Sequence, residues 1–139
     1  MYILGAVWTA PNTVVGLLAG AIAIAFGARA HWHAREMAFV FSGVRWGPGG
    51  ALTLGNVILY TGAELASPCW TYAHSAGEVC EPPIMLADHE RAHVLQYMAL
   101  GPLFLPLYLL SGGVDGRNRF ERAADRYAKS GRGWWPWAR

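Results

Sequence analysis

The sequence predicts an α+β chain: an N-terminal transmembrane helix, a small antiparallel β-hairpin sheet, then two or three helices that carry a metal site. Three observations predict it. Residues 1–28 contain no Asp, Glu, Lys or Arg. Residues 37–60 hold short runs of Val, Ile, Leu and Phe split by Gly and Pro, the pattern of strands and turns. Residues 88–93, Asp88-His89-Glu90-Arg91-Ala92-His93, contain His-Glu-x-x-His in what reads as a helix.

Size and composition bound the rest. The 139 residues make one domain with a modest core. Only 14% of residues are charged, well below the quarter or so of a soluble domain. The formal charge is +2, and no basic patch is interleaved with aromatics, which excludes a nucleic-acid binder. Cys69 and Cys80 lie in a loop-like stretch without zinc-ribbon spacing. Two reduced thiols are the plain expectation, and a disulfide would require an oxidising compartment.

The first helix should begin near Pro11, with Asn12 or Thr13 as its cap, and continue to about Ala30. About 18 residues at 1.5 Å each give about 27 Å, just enough to cross a hydrocarbon core. A signal peptide would want a basic leader, and so small a domain rarely surrounds an all-apolar helix. Gly16 and Gly20 form a small-xxx-small pair suited to a partner helix. Arg29, His31, His33 and Arg35 follow as a headgroup-level flank, with the two histidines not read as ligands. Basic residues at this end place it on the cytoplasmic side.

Next come the strands, in 37–43 and 51–60, with turns at Trp46–Gly50 and near Gly55-Asn56. Residues 61–83 read as a loop with room for a short helical turn, and His74 as a solvated loop histidine. Pro82-Pro83 then open a helix over about 84–100, stopped by Gly101-Pro102. Residues 103–110 are wholly apolar around Pro106, as in a segment lying in a membrane interface or entering it part-way. Asn118 starts a last helix that runs to about Lys129. The tail holds Trp134, Trp135 and Trp137, three of seven Trp, beside Arg139. Such a pairing suits a membrane interface. Arg122, Arg126 and Lys129 share one side of the last helix, a solvated face or a contact for anionic headgroups.

The chemistry gathers on two helices. On a helix, His89 and His93 stand one turn apart and can hold one ion, with Glu90 about 100° round. That arrangement suits zinc, with a carboxylate ready to take a proton from water. Downstream, Glu121 and Asp125 also share a face. Glu121 can supply a third ligand. Asp125 can accept the outer N–H of a ligating histidine and fix its tautomer. Each residue has a plainer role too: Glu121 in a capping box with Asn118, Asp125 in an ion pair with Lys129, and the histidines as interfacial residues.

His89-Glu90-x-x-His93 followed by Glu121-x-x-x-Asp125 resembles the gluzincin branch of the zinc metallopeptidases, in particular small membrane-associated members. The resemblance covers about residues 84–130. It implies one zinc ion on His89, His93 and Glu121, Glu90 as general base, and Asp125 orienting a histidine. It implies hydrolysis of a peptide or protein substrate. Arg91 departs from the pattern: it puts a charge inside the motif and can pair with Glu90 or Asp88. Tyr97, Tyr108 and His74 are candidates to steady an oxyanion, and no substrate-binding strand stands out. On this reading residues 1–35 form the membrane helix and basic flank. Residues 36–139 form a minimal metallopeptidase-like domain with an interfacial segment at 102–111 and a Trp-rich tail at 133–139. The alternative is a non-catalytic subunit of a larger membrane complex, recruited through the Gly-rich helix, its metal structural or vestigial.

Overall fold

Small residues along one side of the N-terminal helix decide how the chain packs. The computed structural model describes residues 2–47, 49–77 and 80–138. Pro48 of the predicted Trp46–Gly50 turn and Arg139 of the tail therefore lie outside the described residues. The N-terminal region is two helices, α1 (Tyr2–Trp8) and α2 (Ala10–Ala25). Gly16, Gly20 and Ala23 recur at helical spacing and are the buried positions of α2. A Cβ on Gly16 would come within 2.7 Å of Val57, and one on Gly20 within 2.4 Å of the Phe41 ring. These glycines thus meet the chain's own sheet, where a partner helix was expected.

Two details of that helix differ from expectation. It starts earlier, with Thr9 at the cap position and Pro11 in the first turn, because Pro needs no N–H bond there. It is also shorter, 16 residues, below the roughly 20 needed to span a bilayer. By length and composition it is the helical stretch Leu86–Leu110 that is apolar enough to cross a membrane, and 33% of its most apolar window is buried inside the fold.

The sheet contains β1 (Arg29–His33), β2 (Ala38–Ser42), β3 (Ala51–Leu54) and β4 (Val57–Tyr60), in the order β1-β2-β4-β3. It is mixed, not antiparallel throughout. β1 pairs β2 and β3 pairs β4 in antiparallel fashion, but β4 runs parallel to β2, with Phe39 opposite Val57. The reason is the loop after β2, which carries the chain back so that β4 pairs inside and β3 becomes the edge. Asn56 fixes this register: its side chain donates to Met37 O and its carbonyl accepts from Phe39 N. Residues 29–33, expected as the flank of the helix, form an exposed edge strand.

Alternation along the two central strands divides the core. Phe41, Val57 and Leu59 pack with Ala23 on the α2 side. Ala38, Val40 and Ile58 pack with Leu86, Ala87 and Val94 of α4 (Leu86–Leu100) on the other. Complete burial of a side chain such as Ile58 contributes about 1.5–3 kcal/mol.

The 61–83 stretch includes β5 (Pro68–Cys69) and the short α3 (Tyr72–Ser75). His74 is not a free loop residue. Its Nδ1 accepts from Thr71 N at 3.1 Å and completes a capping box. Ile84 and Met85 form β6 against β5, so α4 begins two residues later than the prolines suggested. Both cysteines are free thiols. α4 ends at Gly101, whose φ of 55° and closeness to the Trp8 ring exclude a side chain. A 3-10 turn, Gly101–Leu103, leads into α5 (Phe104–Leu110). The last helix, α6 (Arg119–Ser130), is capped by Asn118 and stopped by Gly131 at φ 71°. It packs along α4, and this brings the two motif halves together.

Candidate metal centre

α4 presents His89 and His93 to α6 because they sit four residues apart on its inward face. α6 answers with Glu121 from its first turn and Asp125 one turn on. All four side chains are buried. His89 Nε2 lies 3.1 Å from His93 Nε2 and 3.2 Å from Glu121 Oε2. His93 Nε2 lies 3.5 Å from Glu121 Oε1. Ligand atoms of the three residues fall within 4.8 Å of one another, so the group can hold a metal ion.

The plainer roles for these residues are not the ones they take. Glu121 closes no capping box: its carboxylate faces the two histidines, while Asn118 caps Phe120 N alone. Asp125 does not pair with Lys129. Its Oδ1 accepts from His89 Nδ1 at 2.9 Å, and Lys129 pairs with Glu81 instead. Arg91 spoils nothing. Its guanidinium lies over the Tyr127 ring, while Asp88 pairs with Arg35 and Glu90 accepts from Thr53 Oγ1 at 2.6 Å.

The outer nitrogens fix the tautomers. A carboxylate and an amide oxygen can only accept, so His89 Nδ1 donates to Asp125, and His93 Nδ1 to Gln96 Oε1 at 2.9 Å. Both Nε2 lone pairs then point at each other and at the Glu121 carboxylate. An acceptor-only cluster of this kind is stable only around a cation or a proton, which is the test of fit for a metal.

Without metal the proton takes that place. Burial favours neutral His89, but hydrogen bonds to Asp125 and Glu121 outweigh it and hold the ring well above its ordinary pKa. Burial opposes charge on His93 as well, and Glu121 again raises it. Glu121 is pushed up by burial and drawn down further by the two imidazoles, ending far below the usual carboxylate range. Tyr108 donates to Glu121 Oε1 at 2.6 Å. Burial and the Glu121 charge raise its hydroxyl well above the phenol range, so it remains a donor.

A cleft of about 300 Å³ opens over the cluster. His89, Glu90, His93 and Glu121 line its base. One wall is β3, the sheet edge opposite β1, through Ala51, Leu52 and Thr53. The other is α5, through Phe104, Leu105 and Tyr108. Of the three oxyanion candidates, Tyr108 reaches the cluster. Tyr97 lies in the cleft wall with a buried hydroxyl that has no partner among the described residues. His74 is spent on its cap.

No family model, no curated protein and no solved structure matches this chain. Its chemistry is therefore read from its own side chains.

Sequence reasoning missed Gln96, Thr53 and the β3 edge. Gln96 had one signal, a lone amide in the apolar run Val94–Leu100, three residues past the candidate ligand His93. Thr53 had none, because nothing local ties a strand hydroxyl to a glutamate 37 residues on.

Proposed function

We propose that this protein is a small membrane-associated zinc metallopeptidase of gluzincin type. The observation that carries the reading is the convergence of His89, His93 and Glu121 at the base of a cleft that also holds Glu90. Two imidazoles and one carboxylate, with space on the cleft side, are the donor set of a zinc site that keeps a position open. When bound, zinc would supply Lewis acidity toward a water and a carbonyl oxygen.

The chain's own residues would do the rest. His89, His93 and Glu121 hold the ion, and Asp125 and Gln96 keep both imidazoles in the ligating tautomer. Thr53 fixes Glu90 through one oxygen, leaving the other to take a proton from water and hand it to the leaving amine. The free edge of β3 offers backbone groups to an extended peptide, which would lie across the cluster as an added strand.

Membrane association draws on the inverted surface of the N-terminal helices. α2 turns its small residues inward and exposes Val14, Val15, Leu18 and Ile22, while α1 exposes Ile3, Leu4 and Val7. Apolar surface of this extent marks a lipid or protein contact. We read α1 and α2 as lying on the bilayer with the domain at its surface. The cytoplasmic side expected from the basic flank needs a spanning helix, and α2 at 16 residues is too short to be one. The same surface supports a second reading, a subunit docked in a membrane complex with the metal as a structural staple.

The test is zinc content followed by Glu90→Gln. Zinc should be stoichiometric in both proteins, and peptide cleavage should fall by about 10²–10⁴-fold in the variant. Unchanged cleavage, or no zinc in the parent protein, overturns the proposal. Zinc without any cleavage favours the structural subunit.

A further inference from the structure

A shallow pocket of about 570 Å³ opens between the start of α6 and the C-terminal tail. Arg117, Arg119 and Arg122 line it together with Leu110, Pro136 and Trp137. Among the described residues no carboxylate lines it. Arg119 lies over the Trp137 ring at 5.7 Å, which orients its guanidinium. The Arg117 side chain is 79% exposed, and its Nε lies 3.5 Å from Asp115 Oδ1. Arg122 is exposed on α6.

Other cations on α6 are engaged elsewhere. Arg126 donates to the carbonyls of Gly133 and Trp135, and Lys129 pairs with Glu81. Arg122, Arg126 and Lys129 do share an exposed side of α6, and at the helix start Arg117 and Arg119 join Arg122 around the pocket. There the pocket adjoins the apolar end of α5. Leu110 is 85% and Leu109 66% exposed, and Leu110 is shared with the pocket.

We propose that Arg117, Arg119, Arg122 and Trp137 form a binding site for the phosphate of an anionic phospholipid, with Leu109 and Leu110 set against its acyl chains. The inference rests on the membrane reading above and names the lipid class. Charge complementarity favours this occupant: guanidinium groups bind phosphate oxygens through paired N–H donors, and tryptophan settles at headgroup depth. Bound there, the lipid would hold α5 at the interface. The opposite side of α5 walls the cleft, through Phe104 and Tyr108.

Flotation of the full chain with phosphatidylcholine vesicles, with and without phosphatidylglycerol, tests this. The parent protein should prefer the anionic vesicles. Arg117→Gln/Arg119→Gln/Arg122→Gln should lose about a hundred-fold of that partitioning and keep its binding to neutral vesicles. A control with the same charge change, Arg29→Gln/Arg45→Gln/Arg132→Gln, should lose far less. If the first triple variant melts early, Arg122→Gln alone should lose about fivefold. Equal losses in the two triple variants overturn the site, as does a parent protein indifferent to phosphatidylglycerol. Displacement by inorganic phosphate at matched ionic strength would assign the pocket to a soluble anion and overturn the lipid. Failure to bind neutral vesicles at all would instead count against the apolar face of α1 and α2, and leaves the zinc assay untouched.

Discussion

Gln96 holds His93 from one turn away, its Oε1 accepting from His93 Nδ1 at 2.9 Å. The same amide donates from Nε2 to Phe120 O at 3.2 Å and Trp134 O at 2.9 Å. One fully buried side chain thus joins a candidate ligand to α6 and to the C-terminal tail. Gln96→Leu keeps the volume but removes the acceptor and both donors. Zinc affinity should fall about 10–100-fold, as for other outer partners of ligating histidines. Competition with a chelator of known affinity measures it, and an unchanged affinity would show that His93 needs no such support.

Gly20 faces Phe41 of the chain's own sheet, so its substitution should act on folding. Gly20→Ala places a methyl within 2.4 Å of that ring. Overpacking of this sort costs about 1–3 kcal/mol, only partly offset by the better helix propensity of alanine. Urea denaturation should show the loss at unchanged oligomeric state. A variant with intact stability but altered assembly would return Gly20 to a partner-helix role.

The site was legible where local pattern and chemistry coincide. His89, Glu90 and His93 follow from helical spacing, and Asn118 and Gly131 bracket the helix that brings Glu121 and Asp125. The parts not legible are non-local. Gly55-Asn56 marks the β3–β4 hairpin, but a turn signal says nothing about which of its strands docks beside β2. Arg29-Ala-His-Trp-His33 lacks alternation because β1 is exposed on both faces, so it read as a polar flank. The apolar run from Val14 to Ala28 suggested a membrane span, since sequence does not tell a helix inside lipid from one lying on a sheet with its other side outward.

Protonation should shape the stability of the metal-free protein. His89 and His93 have folded pKa values raised above the ordinary 6.5. Their contribution is complete below that value and is lost as pH rises through the folded pKa. Glu121 is depressed from its ordinary 4.5, so its contribution is present above that value and is lost as pH falls through the folded pKa. The chelator-treated protein should be most stable between these two ordinary values and weaken toward alkaline pH. Zinc competes with the proton for Nε2, so its affinity should rise over the same range. Thermal melts from about pH 5 to about pH 9, with chelator and with zinc, check both slopes. A metal-free protein that gains stability toward alkaline pH would contradict the coupling.

Tyr108 separates orientation from chemistry. Its hydroxyl is committed to Glu121 Oε1 at 2.6 Å, while the ring stacks on Phe104 at 5.6 Å. Tyr108→Phe keeps that stacking and removes one hydrogen bond. A bond to a buried carboxylate contributes about 1.5–3 kcal/mol, so the metal-free protein should lose stability on that scale. Glu121 also loses the donor that fixes its rotamer, and zinc affinity should drop about tenfold. On the proposed mechanism the hydroxyl serves the candidate ligand Glu121 and not the reacting carbonyl, so saturating zinc should restore kcat close to the parent value. A kcat that stays low at full zinc occupancy would place the Tyr108 hydroxyl on the substrate oxygen and make it a catalytic residue. Zinc content measured beside kcat on one preparation decides between the two.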